Sequence, residues 1–388
     1  MPDSALSRRY LLRAGFGALA AASTGRIVKG ANGGRRVLVC IYLFGGNDSN
    51  NMVVPLDDPQ YADYAAARGS LAISANSLLE VNAKNQARYG FHPALSELRD
   101  LYASGTLAVA ANVGHLQQPL TRSLLPSGGR SHMPGPIDSS LAFLPGGYAT
   151  LAWAANLAGA KITDPGHNVF TGFPGHNGHP TSNLSLVSAG PAMSSPEVRA
   201  SLLFAAGSTR LSATFPNTGL GHELRQVASL IATAGSMGID RQVYFVSLGG
   251  FGLATQQAEL LQELSGAMSA FHSATVAMGV DQEVTTFTDT EFNRALKPDT
   301  QGFLAAAWGG HQFVMGRAVR GRDVYGAFPS MALGGSDDAD VRGVWIPGTS
   351  KHQFHATLAS WSGVPSAELS RLFPRLSAFS QPLLNFVV

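Results

Sequence analysis

The chain is short of charge, of cysteine and of long apolar runs, and each shortage excludes something. Charged residues make up 13% of the 388, about half the roughly 25% of an ordinary soluble protein. Formal net charge is only +2. Three arginines and one aspartate fall within residues 1–22, and the remainder balances at 24 bases and 24 acids. A neutral body argues against nucleic acid or an anionic membrane surface as the main partner. The single cysteine, Cys40, excludes an internal disulfide and any multi-cysteine zinc or iron–sulfur site. No run approaches the roughly 20 apolar residues that a bilayer crossing needs. No phosphate-cradling P-loop, no dinucleotide fingerprint after a strand and no G-x-S-x-G elbow occurs.

What is present is apolar residues at 45%, enough for a sizeable core, with 44 glycines and 21 prolines that imply tightly turning loops. Residues 7–13 read Ser-Arg-Arg-Tyr-Leu-Leu-Arg, and a mild apolar stretch runs from Ala14 to Ala22. Together they resemble a twin-arginine export signal cleaved after Ala22, the alternative being a basic N-terminus ahead of a helix. The expectation is a signal peptide over 1–22 and a mature chain, 23–388, that is periplasmic or secreted. That route carries folded proteins, often loaded with a cofactor.

Val37–Phe44 is a continuous apolar run of strand length, as expected for a central strand covered on both faces. Apolar residues at Leu95, Leu98, Leu101 and Tyr102 predict a helix over 93–104, begun by Pro93, followed by a strand over 106–113. The unit recurs as a strand at 242–248, a helix over about 255–279 with Leu261, Leu264, Met268, Phe271 and Met278 on one face, and a strand at 284–289. Residues 308–325 read as short apolar segments with glycines, and 351–362 as a last helix. This order predicts an α/β fold, a layered α/β/α arrangement with a mostly parallel central sheet, in one large domain.

In such sheets, sites form where loops leave the carboxyl ends of strands. The loop Gly45–Asn51 offers Asp48 as a hard oxygen ligand, with Asn47, Ser49, Asn50 and Asn51 as donors or acceptors. Ser49 lacks an adjacent base, and a turn held by Asx hydrogen bonds is an equal reading. The loop 249–257 contains no acid and no histidine. The loop 289–310 carries Asp289, Glu291, Arg294 and Asp299, and Glu291 with Arg294 reads more readily as a bracing ion pair than as a site. His167, His176 and His179 share a Gly/Pro/Asn-rich stretch and are an alternative metal site, though their spacing follows no helical or hairpin rule. His311, after Trp308-Gly309-Gly310, is the histidine expected to face a cleft; His92 reads as a cap or a core neighbour, and His272 as structural.

Several segments match a known pattern in order: Ser7-Arg8-Arg9, Phe44-Gly45-Gly46-Asn47-Asp48-Ser49-Asn50-Asn51-Met52-Val53-Val54-Pro55, Phe91-His92-Pro93-Ala94-Leu95, Val246-Ser247-Leu248-Gly249-Gly250-Phe251, Trp308-Gly309-Gly310-His311-Gln312-Phe313-Val314-Met315-Gly316 and Trp345-Ile346-Pro347. On these the chain resembles the exported bacterial domain-of-unknown-function family 1501. The resemblance implies an alkaline phosphatase/sulfatase-like fold. It also implies departures. The family's G-G-F-D-T-H-D stands here as Gly249-Gly250-Phe251-Gly252-Leu253-Ala254-Thr255, and its G-T/S-D-H falls on Phe303-Leu304-Ala305-Ala306. Its S-D/E-F-G-R survives as Thr290-Glu291-Phe292-Asn293-Arg294. Its S-H-x-D survives only as the histidine of Ser131-His132-Met133-Pro134.

Alanine and glycine side chains offer a metal no ligand atoms, and ester hydrolysis of this kind depends on metal ions to neutralise developing charge. The resemblance therefore implies no resident metal or other cofactor and a degenerate binding or assembly protein with an unknown small-molecule or protein ligand. The alternative is a metal-dependent phospho- or sulfo-ester hydrolase with a rebuilt site. It would use Asp48, Glu291 and Arg294 for catalysis, with His132, Trp308 and His311 lining the site and Asp48 and Glu291 holding a divalent ion.

Overall fold

The computed structural model describes residues 34–125, 185–188, 206–236 and 241–388. The signal-like segment 1–22 and the expected site residues His132, His167, His176 and His179 lie outside the described residues.

Strand β1 is Arg36–Leu43, and every side chain after the first is buried. It continues through a glycine turn into a one-turn helix α1 (Ser49–Met52), β2 (Val53–Pro55) and α2 (Gln60–Arg68). Then come β3 (Leu79–Asn82), β4 (Arg88–Phe91), α3 (Ser96–Ala103), β5 (Leu107–Gly114) and β6 (Ser185–Ser188). The rest runs α4 (Gly219–Ser236), β7 (Arg241–Leu248), α5 (Gln257–Ala277), β8 (Val284–Asp289), β9 (Asn293–Arg294), β10 (Ala306–Ala307), β11 (Gly310–Met315), β12 (Val324–Tyr325), β13 (Thr349–Ser350), α6 (Lys351–Trp361) and α7 (Ser366–Leu372).

The main sheet has the order β12-β5-β11-β8-β1-β7-β6, with β13 also paired to β5. β1 pairs in parallel with β7 and β8, setting Cys40 opposite Phe245 and Phe287. β11 is antiparallel to β5 and β8, and β6 is antiparallel to β7. The remaining strands share one direction, so the sheet is mostly parallel.

Alternation along β1 divides the core. Val39 and Ile41 face a cluster with Leu224 and Ile231 of α4 and Leu261, Leu264, Met268 and Phe271 of α5. Leu38, Cys40 and Tyr42 face the other side, with Phe354, Leu358 and Trp361 of α6 and Leu369 of α7. Helices thus cover both sheet faces, which is why β1 reads as an unbroken apolar run. Among the described residues, no helix is long and apolar enough to cross a membrane.

The structure refines the expected elements. The stretch 308–325 contains a fully buried strand, β11, wedged between β5 and β8. Its glycines look like turn residues, yet a side chain at Gly310 would lie 2.9 Å from Ser49 Oγ, so the glycine answers to packing. β1 and β5 run parallel with β8 and β11 between them. The helix expected from Pro93 starts only at Ser96. A second small sheet, β2-β4-β3, went unanticipated because its strands are three or four residues long.

Candidate functional site

The carboxyl ends of β1, β7 and β8 converge. Phe44 N–H donates to Leu248 O, and Phe251 N–H donates to Phe44 O, at 2.9 and 3.1 Å. Gly46 turns the chain here at φ +80°, and a Cβ on it would sit 2.0 Å from the Phe292 ring. That turn delivers Asp48 to the interior, where it is 4% exposed. Its Oδ1 accepts from Arg68 Nη2 at 2.5 Å, and Arg68, the last residue of α2, is fully buried. Burial pushes the Asp48 carboxyl above its usual range, and the guanidinium opposes that push.

The polar residues around Asp48 stitch the loop into the core. Asn47 Oδ1 accepts from Gln257 Nε2 at 2.9 Å. Ser49 Oγ donates to Asn293 Oδ1 at 3.0 Å and accepts the His311 N–H at 2.9 Å, so both roles of the hydroxyl are filled. Asn50 donates to Arg294 O at 2.7 Å and accepts from Trp345 Nε1 at 2.8 Å. Asn51 donates to Leu71 O and accepts the Tyr64 hydroxyl.

Glu291 and Arg294 do not form the expected ion pair. They grip the same turn from opposite polarities. Glu291 accepts the Gly45 N–H at 3.3 Å on each oxygen. Arg294 donates to the carbonyls of Gly45, Gly46 (3.0 Å) and Leu304 (3.1 Å). Burial raises the Glu291 carboxyl above its usual range, with the Gly45 N–H among the groups opposing the rise.

His311 does not face a cleft; it is 1% exposed. Its Nδ1 accepts the Asn112 N–H at 3.2 Å, and its ring stacks on Phe328 at 4.3 Å and 12°. Burial pushes it down to about 3, so the ring is neutral. Trp308 is also buried, its Nε1 donating to His115 O at 2.7 Å. His92 does not cap the helix, which starts at Ser96 without a side-chain cap; its Nδ1 accepts the Ala94 N–H at 3.1 Å in the turn before it.

A second group lies at the end of β8, and most of it was not anticipated. Asp289 Oδ1 meets Lys351 Nζ at 2.7 Å, and Oδ2 meets His355 Nε2 at 3.0 Å. The same ammonium donates to Thr290 O at 2.5 Å. Burial resists ionisation of Asp289, yet the Lys351 charge and His355 together hold its carboxyl well below the usual range. Burial and the Lys351 charge push the His115 imidazole down to about 3. Lys351 and His355 are four residues apart on α6 and therefore share a face, a spacing legible in the sequence. What the sequence did not reveal is that β13 pairs with β5 and so docks the start of α6 at the sheet's carboxyl end.

A divalent ion needs several anionic or imidazole ligands converging from separate loops. Asp48 is engaged by Arg68, Asp289 by Lys351 and His355, and Glu291 by a backbone N–H. Among the described residues, no group of three or more His, Cys, Asp or Glu side chains is placed to hold a metal. These residues do not fit a two-metal centre; they fit a site whose negative charge the protein itself neutralises. Comparison of the chain with protein-family models, curated proteins and solved structures gave no match in any of the three.

Proposed function

We propose that this chain is an exported, alkaline phosphatase/sulfatase-like protein that has lost catalysis and acts by binding a small molecule or a protein. One observation carries the reading. Two buried acids at the carboxyl ends of β1 and β8 are each already neutralised by a fixed protein cation, Asp48 by Arg68 at 2.5 Å and Asp289 by Lys351 at 2.7 Å. Metal-assisted ester hydrolysis requires those acids to face a metal. An ammonium bonded to a carboxylate and a carbonyl supplies charge balance but no Lewis acid and no activated water. The proposal includes twin-arginine export, which rests on Ser7-Arg8-Arg9 and the short apolar stretch behind it.

The test is elemental analysis of the exported, folded protein, followed by aryl phosphate and aryl sulfate esters on the same sample. The reading expects no stoichiometric transition metal, magnesium or calcium, and no turnover. Stoichiometric metal that disappears in Asp48→Ala together with ester hydrolysis would overturn it in favour of a rebuilt hydrolase site.

A further inference from the structure

Beside the carboxyl end of β5 lies a cavity of about 650 Å³, lined by Asn112, Leu120–Ser123, Ala327–Pro329, Ser336, Asp337 and Ile346–Gly348. Its volume is within the roughly 300–1,000 Å³ of small-molecule sites. Two features suit it to a ligand of one type. The first is a prepositioned cation. Arg122 Nη1 donates to two backbone carbonyls, Gly335 O at 2.9 Å and Asp338 O at 2.7 Å. Those bonds fix the guanidinium plane. Among the described residues no acceptor holds Nε or Nη2, and neither atom is a buried one lacking a partner. Arg122 is half-buried and lines the cavity, so this edge is the one left for a two-point contact with a carboxylate.

The second feature is a rigid apolar wall. Phe328 is backed on one side by the buried His311 ring at 4.3 Å and flanked by Tyr89 at 4.9 Å. Leu120, Pro329, Ile346 and Pro347 complete the apolar surface. The competing acid in the cavity, Asp337, already accepts the Ser330 N–H and the Ser336 hydroxyl, both at 2.9–3.0 Å. Its charge is thereby partly dispersed, so the free guanidinium edge sets the preference.

We propose that this cavity binds an amphipathic carboxylate with an aromatic body, the ring against Phe328 and the carboxylate on Arg122. This deepens the binding reading above by naming a ligand class, and its failure is separable from failure of that reading: one is read in ligand affinity, the other in metal content and turnover.

The experiment is calorimetric titration of the whole folded protein with 2-naphthoate and with the uncharged isostere 2-naphthamide. The proposal expects naphthoate to bind at least tenfold more tightly than the amide. Arg122→Gln should weaken naphthoate about tenfold and leave the amide unchanged, while Arg122→Lys keeps part of the preference. Ala327→Trp, at an exposed position on the wall, should abolish binding of both without changing the melting temperature. Absence of naphthoate binding to the unaltered protein would overturn the proposal. So would equal affinities for the two probes, or naphthoate binding that survives Ala327→Trp.

Discussion

Two acids at the same end of one sheet, Asp48 and Asp289, have been neutralised in different ways. Asp48 is sealed: its partner Arg68 is fully buried, with a buried Nε that has no hydrogen-bond partner, and the neighbouring Asn47 and Asn50 are bonded to side chains and backbone. Asp289 is itself no more exposed than Asp48, but its cation lies nearer the surface. Lys351 and His355 each keep about 10% of their side-chain surface exposed, and both come from the start of a helix. The sealed pair behaves as part of the core. In the Asp289 pair, whose cation lies nearer the surface, a small cation from solution is expected to be able to take the place of the lysine once it is removed.

The largest effect is expected in the sealed pair. Arg68→Met leaves a buried carboxylate without its counter-ion and should cost about 3–5 kcal/mol, read from urea unfolding. A loss below about 1 kcal/mol would show that Asp48 is neutral and the pair unimportant. Lys351→Ala should cost less, roughly 2–3 kcal/mol, because water reaches the gap. Methylammonium at high concentration should restore part of that loss in Lys351→Ala and do nothing for Arg68→Met. Equal behaviour of the two variants would erase the distinction between the sealed pair and the pair nearer the surface.

The same pair sets an acid limb. A carboxyl held low in the folded chain stabilises it above the ordinary carboxylate pKa of about 4, and that stability is lost as pH falls below it. Lys351→Ala should flatten the stability profile below about pH 4. His311 acts earlier. It is held at about 3 in the folded chain, against about 6.5 when unfolded. Between those values only the unfolded chain binds the proton, so stability falls as pH drops. His311→Gln, which keeps an acceptor for the Asn112 N–H, should remove about 1.4 kcal/mol per pH unit from that slope. The smallest effect is expected where water screens both charges: Arg371→Ala, breaking the exposed pair with Glu368 at 2.7 Å, should shift stability by about 0.3 kcal/mol.

Legibility differed along the chain for identifiable reasons. β1 and β7 were legible to within one residue because strands buried on both faces read as largely apolar runs, and β8 to the residue at 284–289 because its Val and Thr residues are β-branched strand formers. β11 was not, since Gly309 and Gly310 imitate a turn while serving close packing against Asn112 and Ser49. In the candidate site, Asp48, Asn50, Glu291 and Arg294 do gather at one glycine turn. What the side chains do there was not legible. Asp48 waits on Arg68, twenty residues away, and Glu291 and Arg294 bind backbone on either side of Gly45. Lys351 and His355 were overlooked because their partner Asp289 lies more than sixty residues earlier and a two-residue strand, β13, brings them to it.

The sequence by itself determined which segments are buried strands, which are helices with an apolar stripe, and that the central sheet is mostly parallel. These follow from the spacing of side chains along a single stretch of backbone, a local property. Only the tertiary structure decided which base neutralises which acid and which residues line the cavity beside β5. Those outcomes depend on contacts within about 3 Å between residues tens to hundreds of positions apart, and charge in a buried place responds to such neighbours far more than to anything adjacent in the chain.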